Sequence, residues 1–126
     1  MIKLTFCLRR LPALSREEFQ RTWRDDHAPL VKAAAQHLGI KRYVQCHTDD
    51  NAMIAAGAAV RGIAHGDGED FDGIAELWFD DEIRTEPATD HDQAAKHAKI
   101  LLEDEARFID FTRSRMFATH ENVVIG

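Results

Sequence analysis

The chain has 126 residues, a length typical of one domain. Its 44% hydrophobic and 30% charged residues are typical of a folded protein and exclude a disordered chain. The formal net charge of −6 argues against nucleic acid and anionic membranes as partners, because both bind basic surfaces. Cys7 and Cys46 are too few for a disulfide framework, and no apolar run approaches a membrane span. We therefore expect a single domain over residues 1–126 in the reducing cytoplasm.

The N-terminal region predicts a strand followed by a long helix. Apolar and polar residues alternate from Ile2 to Arg9, the period of a half-buried strand. Ser15 and Glu18 form a capping-box pattern that starts a helix, and Gly39 ends it. Pro29 lacks a backbone N–H and is expected to kink or break the helix. One helix face is apolar and would pack on the core: Phe19, Trp23, His27, Leu30, Val31, Ala34 and Leu38.

The rest of the chain predicts three further strands and a second helix. A strand is expected at Ile40–Thr48, with Tyr43, Gln45 and His47 on one face. Residues 49–72 form an irregular insertion or flap in which the alanine-rich stretch Asn51–Val60 is compatible with a short helix. The later elements are expected at Gly73–Asp80 (strand), 89–111 (helix) and Met116–Ile125 (strand).

The resulting order, β-α-β-β-α-β, is that of the ferredoxin-like α+β fold, with an antiparallel sheet and both helices on one side. The third strand is apolar on both faces, so both faces need to be covered. Two helices cover only one face of such a sheet. A second copy of the chain is therefore the expected cover of the other face, which predicts a homodimer built sheet to sheet.

Four segments of the chain follow a known pattern. They are "SREEFQRTWRDDHAPLV", with the spacing F-x-x-x-W-x-x-x-H-x-P-L, then "RYVQ", "FDGIAELWFDD" and "EDEARFID". The first segment resembles the first helix of the EthD family, and the other three are similar to later blocks of that family in the right order. The resemblance implies a dimeric α+β barrel. The family is named after a protein needed for bacterial ethyl tert-butyl ether degradation. Relatives in the barrel superfamily include lactone isomerases, polyketide cyclases, decarboxylases and dehydratases, mostly working without metal or cofactor.

His27 is the first candidate for chemistry, because an imidazole titrates near neutral pH and lies here in an apolar stripe beside Pro29. Alternatively, it only hydrogen-bonds a backbone carbonyl at the kink. The resemblance at H-x-P favours an acid–base role. Tyr43 and His47 share a strand face and would orient a carbonyl or phenolic substrate, unless they are a half-buried tyrosine and a surface histidine. Glu76 is either a second acid–base group or half of an ion pair with Arg42 or Arg115.

The remaining candidates would bind substrate rather than react with it. Trp23, Trp78 and Phe108 are candidate pocket walls, although aromatic residues at regular spacing are more often core. Asp104 lies on the apolar stripe of the second helix, where a helix cap or a surface salt bridge is the alternative. The histidines show no zinc-binding pair and the glycines no phosphate loop, so no metal or cofactor is expected.

Together these features predict a cofactor-independent acid–base enzyme of isomerase, cyclase, dehydratase or decarboxylase type. Its substrate would be a small, mostly apolar organic compound in a degradation or polyketide-type pathway. His27 would move the proton, and Tyr43, Glu76 or His47 would orient the substrate. The alternative is a non-catalytic ligand-binding or accessory protein of an oxidative pathway that degrades ethers or xenobiotics.

Overall fold

The computed structural model describes residues 1–66, 68, 70–80 and 91–126. Within them the strands are β1 (Ile2–Leu8), β2 (Arg42–His47), β3 (Gly73–Phe79) and β4 (Arg115–Thr119). The α-helices are α1 (Arg16–Arg21), α2 (Ala28–Leu38), α3 (Ala52–Ala59) and α4 (His91–Glu105). A π-helical segment, Thr22–His27, joins α1 to α2, and a short 3-10 helix, Phe111–Arg113, precedes β4.

The strands form one antiparallel sheet in the order β2-β3-β1-β4. This order confirms the predicted α+β, ferredoxin-like arrangement. The register places Leu4 of β1 opposite Leu77 of β3, and Leu77 opposite Tyr43 of β2. Because side chains alternate along a strand, these three residues share one sheet face. The helices α1, α2 and α4 contribute their buried residues to the clusters packed on this face.

The other sheet face carries a different set of side chains. Thr5, Glu76 and Val44 lie side by side across β1, β3 and β2, and Phe117 of β4 lies beside Thr5. Val44 is half-buried, whereas Phe117 is exposed. We call this surface the open face. The sheet therefore has one face packed under helices and one face that mixes apolar, polar and charged groups.

The start and end of the first helical region form as predicted. The hydroxyl of Ser15 accepts from the Glu18 N–H at 3.1 Å, and the Ser15 N–H donates to the Glu18 carboxylate at 3.0 Å. These two bonds make the predicted capping box. Gly39 ends α2 in the left-handed conformation, with φ of 73°, which a glycine adopts at no steric cost.

The kink or break that the sequence predicts at Pro29 is replaced by a π-helical turn just before the proline. The helical path is unbroken, and a π-helical turn lies upstream, where the Ala28 N–H bonds to the Trp23 carbonyl five residues back. Pro29 itself lies in the first turn of α2, where its missing N–H costs least. The extra residue in the turn is thus accommodated just before the proline, between Trp23 and His27.

Other boundaries differ from the prediction at their ends. The helix expected at 89–111 ends at Glu105, and residues 89–90 lie outside the described residues. The last strand ends at Thr119 rather than Ile125. The short helix in the insertion is confirmed as α3, whose first turn is capped by the Asn51 side chain. Among the described residues, no helix combines the length and apolar character needed to cross a membrane.

Candidate functional site

A cavity of about 400 Å³ lies between the sheet and the helices. Its volume falls within the roughly 300–1,000 Å³ typical of small-molecule sites. Leu102 of α4 and Met116 of β4 line it and are each 58% exposed, so the cavity reaches the surface beside them. Apolar side chains make most of the described wall: Leu4, Phe6, Leu8, Val31, Leu38, Ile40, Ala75, Leu77, Phe79, Ala98, Leu101 and Ile109.

His27 is the buried imidazole of this wall. The π-helical segment carries it at its last position, and the residue is only 4% exposed. Its Nδ1 lies 2.8 Å from Asp104 Oδ2, and its Nε2 lies 3.7 Å from Glu105 Oε2. Burial lowers the pKa of His27, although the hydrogen bond to Asp104 acts in the opposite direction. The imidazole is therefore held largely neutral near pH 7.

Asp104 fixes the orientation of that imidazole. Its Oδ1 accepts a hydrogen bond from Arg107 Nε at 2.8 Å, and the Arg107 Nη2 lies 2.7 Å from the same oxygen as an ion pair. Partial burial raises the pKa of Asp104, but the bonds from His27 and Arg107 outweigh burial and keep this pKa below its usual value. An ionised carboxylate only accepts, so Nδ1 of His27 carries the proton. Nε2 is then left with a free lone pair on the Glu105 side.

Glu105 is a functional candidate that the sequence reasoning missed. It lines the cavity, and burial together with the neighbouring Asp104 raises its pKa to about 7. A carboxyl with this pKa exchanges protons at neutral pH. A signal was present in the sequence, because Glu105 lies four residues after the buried Leu101, on the side of α4 that faces the core.

Tyr43 adds a hydroxyl to the same cavity. Its Oη lies 3.2 Å from Trp23 Nε1 and 3.0 Å from Gln45 Nε2, and it lines the cavity wall. Burial raises the pKa of Tyr43, so the phenol stays protonated at neutral pH. The structure thus places His27, Tyr43 and Trp23, all predicted from the sequence, together with Glu105 in one cavity.

Trp23 lines the cavity and packs against the rings of His47 and Phe19. The His47 ring lies 4.6 Å from the Trp23 ring, so His47 supports Trp23 and is not a simple surface histidine. The His47 Nε2 is 2.9 Å from the Gln45 side-chain oxygen. Phe108 is fully buried and contacts the His27 ring edge-on at 5.3 Å, which holds the imidazole in place from the core.

Glu76 and Trp78 do not join this group, because both lie on the open face. Because successive side chains of β3 point to opposite faces, Glu76 lies on the face opposite to Ala75 and Leu77, which line the cavity. Glu76 pairs with Lys3 at 2.7 Å rather than with Arg42 or Arg115, and this bond lowers its pKa. Trp78 lies near the cations of Lys3 and Arg42 and donates to Glu121. The structure therefore places neither residue beside His27.

No cluster of three or more His, Cys, Asp or Glu suited to a metal ion occurs in the part of the chain that the structure describes. The described cavity wall offers a ligand the imidazole of His27, the carboxyl of Glu105 and the phenol of Tyr43. In the described wall they are surrounded by apolar side chains. A proton acceptor, a proton donor and a hydroxyl in a mostly apolar cavity define a site suited to proton transfer on a small organic molecule.

Comparisons with known proteins agree with this fold. Residues 11–112 match the family model described as the EthD domain, so the chain belongs to the EthD family. A solved ethyl tert-butyl ether D (EthD) family protein from Bacillus halodurans C-125 is 19% identical, with a TM-score of 0.58 over 97% of this chain and 99% of that one. An EthD-like protein from Ralstonia eutropha JMP134 is 15% identical, with a TM-score of 0.56 over 98% and 94%. A search of curated proteins found no match.

Proposed function

We propose that the protein is an acid–base enzyme that moves a proton on a small, mostly apolar organic compound. The observation that carries this proposal is the His27–Glu105 pair at the cavity wall, with Nε2 and Oε2 3.7 Å apart. The reaction would be an isomerisation, cyclisation, dehydration or decarboxylation. Such steps are needed in the degradation of organic compounds and in polyketide-type pathways.

The two groups have complementary protonation states. The pKa of His27 is lowered by burial, so its Nε2 is a free base at neutral pH. The pKa of Glu105 is raised to about 7, so a large fraction of this carboxyl still carries a proton. His27 would take a proton from carbon and Glu105 would return one, while the Tyr43 hydroxyl stabilises the developing enolate oxygen. Environments that separate two pKa values in this way are typical of acid–base sites.

Proton exchange on a simple ketone tests this chemistry without the natural substrate. β-Tetralone carries acidic hydrogens beside its carbonyl, and NMR follows their replacement in deuterium oxide. The wild-type protein should accelerate the exchange, and His27→Asn should remove the acceleration by roughly 10²-fold or more. His37→Asn is the matched control, because His37 lies on the same helical region, outside the cavity wall. Exchange by wild type no faster than by His27→Asn would contradict the proposal.

A second candidate is a ligand-binding or accessory protein of an oxidative degradation pathway. The observation that favours it is the cavity wall, which is mostly apolar and suits retention of a hydrophobic compound as well as its conversion. The same experiment separates the two candidates. Saturable binding of β-tetralone without accelerated exchange would support the binding protein and contradict the enzyme.

We also propose that the open face binds a second copy of the chain. Phe117 is 50% exposed there, and Val44 and Ile74 are half-buried on the same face, on strands β2 and β3. The helices that cover the other face leave the apolar groups of this one to be covered by a partner. A two-fold pairing of such faces would make a sheet-to-sheet homodimer.

A further inference from the structure

The hydrogen bonds that the Tyr43 hydroxyl already forms determine what it can offer to a ligand. The Gln45 Nε2 donates to the Trp23 carbonyl at 3.0 Å, which identifies it as the amide nitrogen, and it also donates to Tyr43 Oη at 3.0 Å. The indole N–H of Trp23 can only donate, and it also points at Tyr43 Oη, at 3.2 Å. Tyr43 Oη therefore accepts two hydrogen bonds.

With both acceptor positions of Tyr43 occupied, only its own proton remains for a further bond. Among the described residues, no hydrogen bond from Tyr43 to an acceptor is formed, and Tyr43 lines the cavity. Towards a ligand, the Tyr43 hydroxyl can therefore act only as a hydrogen-bond donor. A group that accepts hydrogen bonds, such as a carbonyl oxygen, fits this position, whereas a second donor does not.

The ionisable groups of the described cavity wall include a carboxyl but no Lys or Arg. Glu105 lines the wall, and Asp104 lies behind His27 with its pKa below the usual value. Arg107 is a cation behind this wall, and its Nε hydrogen bond and its Nη2 ion pair both go to Asp104. A negatively charged ligand would meet carboxylates in an apolar surrounding with no cation to pair with.

We propose that the cavity binds an uncharged ketone, quinone or lactone whose carbonyl oxygen accepts a hydrogen bond from Tyr43, and that it excludes carboxylates. This proposal rests on the proposed function, because it assigns the substrate class of the same site. A carbonyl held by Tyr43 would place its neighbouring carbon near the His27–Glu105 pair. The charge that develops on the oxygen during proton removal would then meet the phenol proton.

Three naphthalenes of matched size test the proposal: methyl naphthyl ketone, naphthoate and ethylnaphthalene, all substituted at the same ring position. Trp23 is buried at the cavity, so its fluorescence is a signal for binding. The ketone should bind roughly tenfold more tightly than the hydrocarbon, because one hydrogen bond in an apolar site is added. Naphthoate should bind more weakly than both, and naphthoate that binds as tightly as the ketone would overturn the proposal.

Two variants separate the hydrogen bond from the charge. Tyr43→Phe should reduce ketone affinity to that of the hydrocarbon, while hydrocarbon affinity stays within about twofold, which also shows that the cavity is intact. Glu105→Gln keeps the shape of the side chain. At pH 8, where most of the Glu105 carboxyl has lost its proton, this variant should raise naphthoate affinity by roughly fivefold or more. Glu103→Gln, which removes a carboxylate that is 66% exposed on the same helix, should leave naphthoate affinity unchanged.

The outcomes also distinguish this proposal from the proposed function. If the ketone is preferred in a Tyr43-dependent way but no β-tetralone exchange is seen, the ligand class holds and the catalytic role fails. If β-tetralone exchanges but Tyr43→Phe and Glu105→Gln leave the ligand preferences unchanged, the ligand class fails and the catalytic role holds. Should Tyr43→Phe lose its fold, an unchanged naphthoate affinity in Glu105→Gln would by itself overturn the exclusion of carboxylates.

Discussion

Two neighbouring carboxyl groups at the end of α4 have opposite environments. Asp104 faces Arg107 and His27, and these partners hold its pKa below the usual value. Glu105 is half-buried and has no Lys or Arg partner among the described ion pairs, and burial raises its pKa to about 7. One carboxylate therefore orients the imidazole, while the other lies 3.7 Å from the free nitrogen of the ring. The division of roles follows from where each side chain points, not from its residue type.

The shifted pKa of Glu105 predicts a pH dependence of stability. The folded-state pKa of about 7 lies above the ordinary value of 4.5, so the folded chain keeps a proton that the unfolded chain has lost between these pH values. The free energy of unfolding therefore falls as pH rises through this window, by roughly 3 kcal/mol in total. His27 has a lowered pKa and acts in the opposite direction, since it costs stability as pH falls below 6.5.

Glu105→Gln isolates the contribution of Glu105, because it removes only one of these titrations. Urea denaturation measures the free energy of unfolding of this variant. Its excess over the wild-type value should grow from pH 5 to about pH 7 and level off by pH 8. Glu103→Gln removes a carboxylate that is 66% exposed and should differ from wild type by a constant amount over the same range. A pH-independent difference for Glu105→Gln would show that its carboxyl titrates normally.

Sequence reasoning found some members of this site and missed another for a physical reason. His27, Tyr43 and Trp23 are identifiable because aromatic and imidazole side chains at core positions of a helix or strand are visible in the periodicity. Glu105 was missed because a charged residue near the end of a helix is usually solvated. Its burial comes from the tertiary packing of α4 over the sheet, which periodicity alone does not measure.

At the level of elements, the π-helical segment and β3 together position Trp23. The π-helical turn offers the Trp23 carbonyl to both the Ala28 N–H and the Gln45 side chain. The Trp23 ring itself lies directly on Gly73, the first residue of β3. The sequence predicts a disturbance near Pro29, but the choice between a break and a π-helical turn depends on these contacts from β2 and β3.

Gly73→Ala should destabilise the protein through the ring of Trp23. A Cβ at this position would lie 2.7 Å from the Cys46 carbonyl oxygen and 2.9 Å from Trp23 Cη2, closer than real contacts allow. Backbone and a buried ring must therefore move, at a cost of about 1–3 kcal/mol. Thermal and urea unfolding measure the loss, and near-ultraviolet circular dichroism reports the displaced indole.

Gly57→Ala is the matched control with the opposite expected sign. Gly57 lies inside α3, where an added Cβ makes only an ordinary 3.5 Å contact with Arg61 Nη1. Alanine is the better helix former, so this variant should be as stable as wild type or gain up to about 1 kcal/mol. A Gly73→Ala variant as stable as Gly57→Ala would show that Trp23 does not need the close approach to β3.

At the scale of the whole molecule, the sequence pattern predicts the sheet and the doubly apolar third strand, and the observed strand order follows that prediction. The pattern does not show which face carries the site, because Glu76 and Trp78 look as suitable as Tyr43 until the register is known. Alternation along β3 then assigns Leu77 to the cavity and Glu76 to the open face. The open face is left with apolar groups around the Lys3–Glu76 pair.

A charge placed on the open face should therefore weaken self-association. We expect the wild-type chain to sediment as a dimer at micromolar concentration, and Phe117→Lys to shift it towards monomer by placing a cation in the apolar contact. Phe111→Lys is the matched control, because Phe111 is similarly exposed, at 41% against 50% for Phe117, but lies in the 3-10 helix before β4. This control should remain dimeric. A wild-type chain that sediments only as monomer, or equal weakening by both substitutions, would contradict pairing through the open face.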